Sequence, residues 1–212
     1  MGKWAIFDGG GEAVGSEVWR LKEGKEGLEW ASIIDRKTPF PHVERLLVRA
    51  MPHKWDIRSF EIVSQSEQGF EEFFRGLVEK GMFRFEIQNQ KGQHSDSIQV
   101  NSDTEYDYLS PIFNTITFHK VRLRRGQSRE IKPFFIDPVS IEGSFNLHPV
   151  RQQYTRADDQ DVTVSAGRFN RAKHYRYENL ESGWKSRIWT DNLETVLRYE
   201  RVYELQEYRH SI

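Results

Sequence analysis

Three strand-like segments follow one another near the C-terminus, and they constrain the fold more than any other feature of the chain. They read VTVSAGRFNRAKHY (162–175), WKSRIWT (184–190) and VLRYERVYEL (196–205). Short turns join them, ENLESG (178–183) and DNL (191–193). Residues that alternate between two faces, punctuated by Gly, Asn and Asp, are what an antiparallel meander requires. This fixes an architecture and leaves the chemistry open.

Similar signals run through the rest of the chain. Residues 16–21 and 28–34 flank the turn 22–27, which contains Glu26, and predict a hairpin with Leu28, Trp30 and Ile34 on one face and Ser32 between them. Beyond Pro39 and Pro41, residues 43–51 and 55–63 predict two more strands around Pro52, His53 and Lys54. Phe70, Phe73, Phe74, Leu77 and Val78 then recur at helical spacing. Ser64 with Glu67 resembles a capping box and Gly81 is a stop signal, so a helix is expected here. Phe83, Phe85 and Ile87 alternate with polar residues as in a half-buried strand, with a return at 97–100 after a polar turn. Ser110 and Pro111 read as an N-cap and a first helical residue. Residues 112–123 stay open between helix and strand, because Ile112, Phe113 and Ile116 share a helical face while Ile116, Phe118 and the threonines also suit a strand. Residues 131–136 and 145–154 read as further strands, and residues 1–11 as a loosely tied arm.

No linker or repeat divides the 212 residues, so a single domain, 1–212, is expected. The predicted class is α+β: a curved antiparallel β-sheet, an open half-barrel, wrapped around one or two helices.

Composition narrows the function classes. Thirty-one basic and 32 acidic side chains give a net charge of −1, so no global field gathers nucleic acid, and no nucleic-acid partner is expected. The chain has no cysteine, which removes disulfides, thiolate metal sites and cysteine nucleophiles. The N-terminus has no apolar signal region and no segment approaches 18 apolar residues, so the expectation is a cytoplasmic protein with no transmembrane segment.

The candidate motifs are weak. Gly9, Gly11 and Gly15 imitate a nucleotide fingerprint, but the strand-like SEVWRL follows where a helix is needed. His42, His53, His94, His119, His148, His174 and His210 show no metal-ligand spacing. Asp158, Asp159 and Asp161 read as an acidic hairpin turn, and Asp103, Glu105 and Asp107 likewise. Arg122, Arg124, Arg125 and Arg129 form one basic run, suited to a solvated turn or to an anionic head group. Gly143, Ser144 and Phe145 do not make a nucleophile elbow. No catalytic residue, metal or cofactor is assigned, and a non-enzymatic protein is favoured over an enzyme. The surplus is aromatic, at 13% of residues. Trp30, Trp55, Phe83, Phe85, Phe135, Trp184 and Trp189, with Arg124 for a polar head, are the predicted ligand-binding residues.

The runs AGRFNRAKHYRY, SRIWTDNLETVLRYE and YELQEY within residues 166–208, with Ser110-Pro111-Ile112-Phe113 ahead of them, resemble a group of bacterial domains of unknown function. That group is similar in fold to lipoprotein-localisation factors and related lipid carriers, whose open, strongly curved sheet wraps around helices. The resemblance implies an apolar cavity between sheet and helix. Exported carriers of that kind have a signal peptide and a lipidated cysteine, which are not seen here.

The expected function is therefore binding of a hydrophobic or amphipathic, lipid-like small molecule. Two alternatives stand beside it. One is a structural or partner-binding protein with a fully packed core, forming homo-oligomers through edge strands such as 196–205. The other is a hydrolase or metal-dependent enzyme using dispersed His and Asp residues.

Overall fold

The computed structural model describes residues 1–25, 27–38, 40–69, 71–137 and 144–209. Glu26, Pro39, Phe70, Gly143 and His210, each part of a sequence expectation, lie outside them. The first half is an antiparallel meander of β1 (Gly2–Phe7), β2 (Ala13–Gly24), β3 (Gly27–Arg36), β4 (His42–Ala50), β5 (Ile57–Ser66), β6 (Glu71–Glu79), β7 (Met82–Asn89) and β8 (Gly92–Gln99). A short β9 (Tyr106–Asp107) leads into α1 (Pro111–Val121). The second half contains β10 (Ser128–Ile131), β11 (Phe134–Asp137), β12 (Asn146–Pro149), β13 (Gln152–Arg156), β14 (Gln160–Val164), β15 (Gly167–Asn179), β16 (Lys185–Thr190), β17 (Val196–Tyr199) and β18 (Tyr203–Tyr208).

Among the described residues fifteen strands join in one sheet, ordered β10-β13-β15-β16-β17-β18-β1-β2-β3-β4-β5-β6-β7-β8, with β14 added to β15. The two end strands do not pair, so the curved sheet stays an open half-barrel. A second sheet, β12-β11-β9, packs Tyr106 and Phe134 against Phe83 of β7.

The sheet wraps around α1. Phe113 meets Phe60 of β5 edge-on, while Phe118 stacks on Tyr175 of β15 and meets Tyr154 of β13 edge-on. Nearly every residue of the helix is buried, so it carries no amphipathic stripe. Ser110 caps it, with its hydroxyl accepting from the Ile112 N–H at 3.2 Å. Arg122 ends it in a left-handed conformation. Residues 112–123 thus resolve as helix to Val121.

Four expectations are corrected. Within the predicted helix, residues 71–78 are strand β6: Phe74 faces the core and Leu77 faces outward, so apolar residues on both faces imitate helical spacing. Residues 1–11 are not a loose arm, because β1 pairs with β18 on one side and β2 on the other. Residues 162–175 belong to a hairpin, β14 and β15, and do not form one strand. Residues 196–205 form a second hairpin, β17 and β18, turning at Arg201 with φ +62°. Both of its strands are interior to the sheet, so this is not a free edge.

Candidate ligand-binding clefts

The inner face of the meander is graded from one rim to the other. Leu28, Trp30, Val48 and Phe60 face inward toward one end of the strands, with Trp4 and Trp19 beside them at positions that pair with Glu17 and Ser32. Toward the other end the inward positions are Glu17, Ser32, Arg36, His42, Glu44 and Ser64, all buried. The register aligns the two belts: Leu21 pairs with Trp30 and Trp30 with Val48, while Ile34 pairs with Glu44 and Arg36 with His42.

The aromatic end opens into a cleft of about 560 Å³ beside the C-terminal half of α1. Trp4, Trp19, Trp30 and Trp55 line it, four of the six tryptophans in the chain. Trp4 and Trp19 stack with centroids 4.9 Å apart. Trp55 lies between Trp30, at 5.6 Å, and the His119 imidazole, at 3.5 Å and nearly parallel. His119 is fixed in turn by its Nε2 contact with the Leu193 carbonyl at 2.7 Å, and burial lowers its pKa. The loop carrying Trp55 is unusual. His53 and Trp55 have φ of +70° and +61°, a left-handed conformation that costs a non-glycine residue roughly 1–2 kcal/mol. Arg122 donates to the His53 carbonyl and ties this loop to the end of α1. Strain held in place by packing is characteristic of a functional surface. Arg122, Arg209 and Glu23 provide charge around the opening.

A second cleft, of about 330 Å³, adjoins the N-terminal half of α1. Its walls include Tyr177, Trp184, Tyr199 and Phe135. Its floor holds Asp107, Asn114 and Gln152, joined by hydrogen bonds. Asn114 Nδ2 donates to the Tyr154 hydroxyl at 3.4 Å, that hydroxyl donates to Gln152 Oε1 at 3.1 Å, and Gln152 Nε2 donates to Asp107 Oδ2 at 2.6 Å. Burial pushes the Asp107 carboxyl up to about 6, against the Gln152 hydrogen bond.

Behind this cleft lies the buried ionic network. Glu44 accepts from Arg36 Nε at 3.2 Å and from the Tyr108 hydroxyl at 2.6 Å, and contacts His42 Nε2 at 3.2 Å. Burial favours the neutral acid, but these three partners outweigh it and hold Glu44 below its ordinary value. Glu17 differs. It accepts from the Ser110 hydroxyl at 2.7 Å, its second oxygen has no partner among the described residues, and burial pushes it up to about 7. Arg36 and Tyr203 both donate to the Leu109 carbonyl, so the network anchors the chain entering α1. Glu17 and Glu44 have no accessible surface, which makes this network a structural support.

The predicted ligand residues do not converge on one place. Trp30 and Trp55 share the tryptophan cleft, and Phe135 and Trp184 share the second. Phe83 and Phe85 belong to the packed stack of β6 and β7 with Phe74. Trp189 is buried, stacks on His174 and donates to Gln160. Arg124 lies exposed on the loop after α1. The acidic turn pairs locally, Asp159 with Arg156 and Arg125, and Asp161 with Arg168. Trp4 went unselected because residues 1–11 read as an arm, although Trp4 and Ile6 alternate as in a strand. Asp107, Asn114 and Gln152 carry no local signal, since three separate elements bring them together. Among the described residues no group of three or more His, Asp or Glu side chains is arranged to hold a metal ion. Among the same residues no helix is long and apolar enough to cross a membrane.

The fold is similar to that of a DUF1089 family protein from Pseudomonas aeruginosa, with a TM-score of 0.64 and 22% identity over 91% of this chain and 92% of that one. It is also similar to a β-barrel-like protein of the domain of unknown function DUF1849 from Brucella abortus, with a TM-score of 0.50 and 11% identity over 97% and 96%. Both are domains of unknown function, the kind of group that the C-terminal motifs resemble. No curated protein matches the chain. Residues 9–204 match the model of the family described as "Putative glycolipid-binding", and the chain belongs to that family.

Proposed function

We propose that the protein binds a lipid-like amphipathic molecule of the glycolipid class, and that the tryptophan cleft receives its apolar part. The observation that carries this reading is the cleft's composition: four tryptophans with Leu21 and Leu28, beside a helix end, in about 560 Å³. That size and lining fall within the ordinary range of small-molecule sites, roughly 300–1,000 Å³. The family description supports the ligand class. The left-handed backbone at Trp55 supports the position, because its strain is held by contacts that present an aromatic ring at the opening. Arg122 and Arg209 add polar contacts around the opening.

The test combines native mass spectrometry of the untagged protein with titration of a fluorescent acyl glycoside. The reading expects a releasable mass in the lipid range and saturable probe binding. Trp55→Ala is expected to weaken the probe roughly tenfold or more, as truncation of a buried aromatic anchor does. A bare protein mass together with probe binding indifferent to Trp30→Ala and Trp55→Ala would overturn it.

A further inference from the structure

We infer that the second cleft is a saccharide site that holds the ring of an uncharged pyranoside. No residue lines both this cleft and the tryptophan cleft, so the two are separable by mutation. The inference rests on the preceding reading in one respect, that the natural ligand carries a sugar. The assignment of residues stands on the geometry of this cleft.

A pyranoside has two chemical faces, an apolar face of C–H groups and a rim of hydroxyls that both donate and accept. The cleft offers a counterpart to each. Trp184 stands at its mouth and is 46% exposed, an unusual position for the largest side chain in a well-packed protein. The Trp184 ring packs against Tyr177 at 5.5 Å and Tyr199 at 5.8 Å, so it is supported as a rigid platform. Its backbone is held by the turn before it. The Asn179 side chain accepts from the N–H groups of Glu181 and Ser182, and the Ser182 hydroxyl accepts from the Trp184 N–H. The floor answers the hydroxyl rim. Asp107 is an acceptor with capacity beyond its bond from Gln152, and Asn114 keeps its carbonyl after donating to Tyr154. Because Asn114, Tyr154, Gln152 and Asp107 are chained together, these acceptors are oriented before a ligand arrives, which lowers the cost of binding.

Charge selects among head groups. No lysine or arginine lines the cleft among the described residues, and Asp107 and Glu181 contribute negative charge. His148 Nδ1 lies 3.2 Å from Asp137 without a hydrogen bond, so a carboxylate already stands beside the one imidazole that lines the cleft among these residues. A phosphate or carboxylate would therefore meet repulsion with no compensating cation. The volume of about 330 Å³ is at the small end of ligand sites, which suits a ring and not an acyl chain.

The test uses lipid-free probes on the full chain. Methyl glucoside, methyl galactoside and methyl mannoside are titrated by ligand-observed NMR, with inorganic phosphate as the anionic control. Saturable binding of at least one glycoside is expected, with no competition from phosphate. Trp184→Ala and Asp107→Asn should each weaken it at least tenfold, and Leu77→Ala, on the outer face of β6, should leave it unchanged. Trp184 is exposed, so its variant keeps the test decisive should the Asp107 variant fail to fold. Absence of glycoside binding, binding indifferent to Trp184→Ala, or displacement by phosphate would overturn the saccharide site. Acyl-probe binding that is lost in Trp55→Ala while glycosides fail would sink this inference and leave the lipid reading standing. Glycoside binding without any acyl-probe binding would do the reverse.

Discussion

Two residues show how the interior balances polarity against packing. Glu17 has an ordinary pKa of 4.5 and is pushed up to about 7 by burial. Below its ordinary value the group is protonated in both the folded and unfolded chain and adds no pH dependence. Between the two values the folded chain keeps a proton that the unfolded chain has released, so stability falls as pH rises, by about 1.4 kcal/mol per unit for this one group. Glu105 is pushed up to about 7 as well and contributes in the same window, opposed by Lys120. Glu17→Gln should therefore remove one proton's share of the slope between pH 4.5 and 7 and leave the remainder. Urea unfolding at a series of pH values measures this, and an unchanged slope would show that Glu17 is ionised throughout. Gly76 makes the complementary point. A Cβ there would lie 2.5 Å from the Phe83 ring and 2.9 Å from the Phe60 ring, both fully buried. Gly76→Ala should cost roughly 1–3 kcal/mol by overpacking, read as a lower unfolding midpoint with an unchanged denaturant slope.

At the scale of elements, the helix and one strand exchanged their expected signals. The α1 helix is buried on every side and contains Thr115, Ile116, Thr117 and Val121, which are indifferent helix formers. Neither periodicity nor propensity could distinguish it, and only the Ser110-Pro111 start was legible. Strand β6 has apolar side chains on both faces, which matched a helical stripe by coincidence, and Gly76 within it is a poor helix residue that two phenylalanine rings require. Among the closing strands, β16 and the turns on either side of it were legible because Asn, Asp and Gly mark them, whereas the turns at Ala166 and Arg201 inside the other two segments carry no such signal. The clefts were legible only as an aromatic surplus. Trp30 and Trp55 share a cleft because a left-handed loop turns Trp55 back onto β3, and no periodicity encodes that. The cap at Ser110 has two functions, since its hydroxyl accepts from Ile112 and donates to Glu17. Ser110→Ala should cost more than an exposed cap, roughly 2–3 kcal/mol, because it also leaves a buried carboxyl without its donor. Ser110→Asp would restore an acceptor for the helix but place a second acid against Glu17, and should be no better than alanine. Recovery of stability by Asp in thermal unfolding would mean that the cap alone matters.

The whole molecule is organised around β1. This strand joins the meander β2–β8 to the C-terminal strands through its pairing with β18, so the first and last strands of the chain complete one continuous sheet. Met1 and Arg209 exchange backbone hydrogen bonds at 2.9 Å, which puts the start of β1 beside the end of β18. The longest-range contact in the fold therefore forms at its centre, and closing so long a loop delays the rewarding contacts. Linking the ends and reopening the chain in the turn between β7 and β8 makes the β18–β1 pairing local, keeps every strand neighbour, and transfers the longest loop to β8, an end strand that pairs on one side only. The reopened strand lies at an exposed polar edge, where new termini are tolerated. This permutant is expected to have the native circular-dichroism spectrum and to refold faster than the natural order in stopped-flow experiments. Removing residues 1–7 instead leaves β2 and β18 without the strand between them, and should abolish cooperative unfolding. A permutant that refolds no faster would place the rate-limiting step within the meander, before the two halves of the sheet meet across β1.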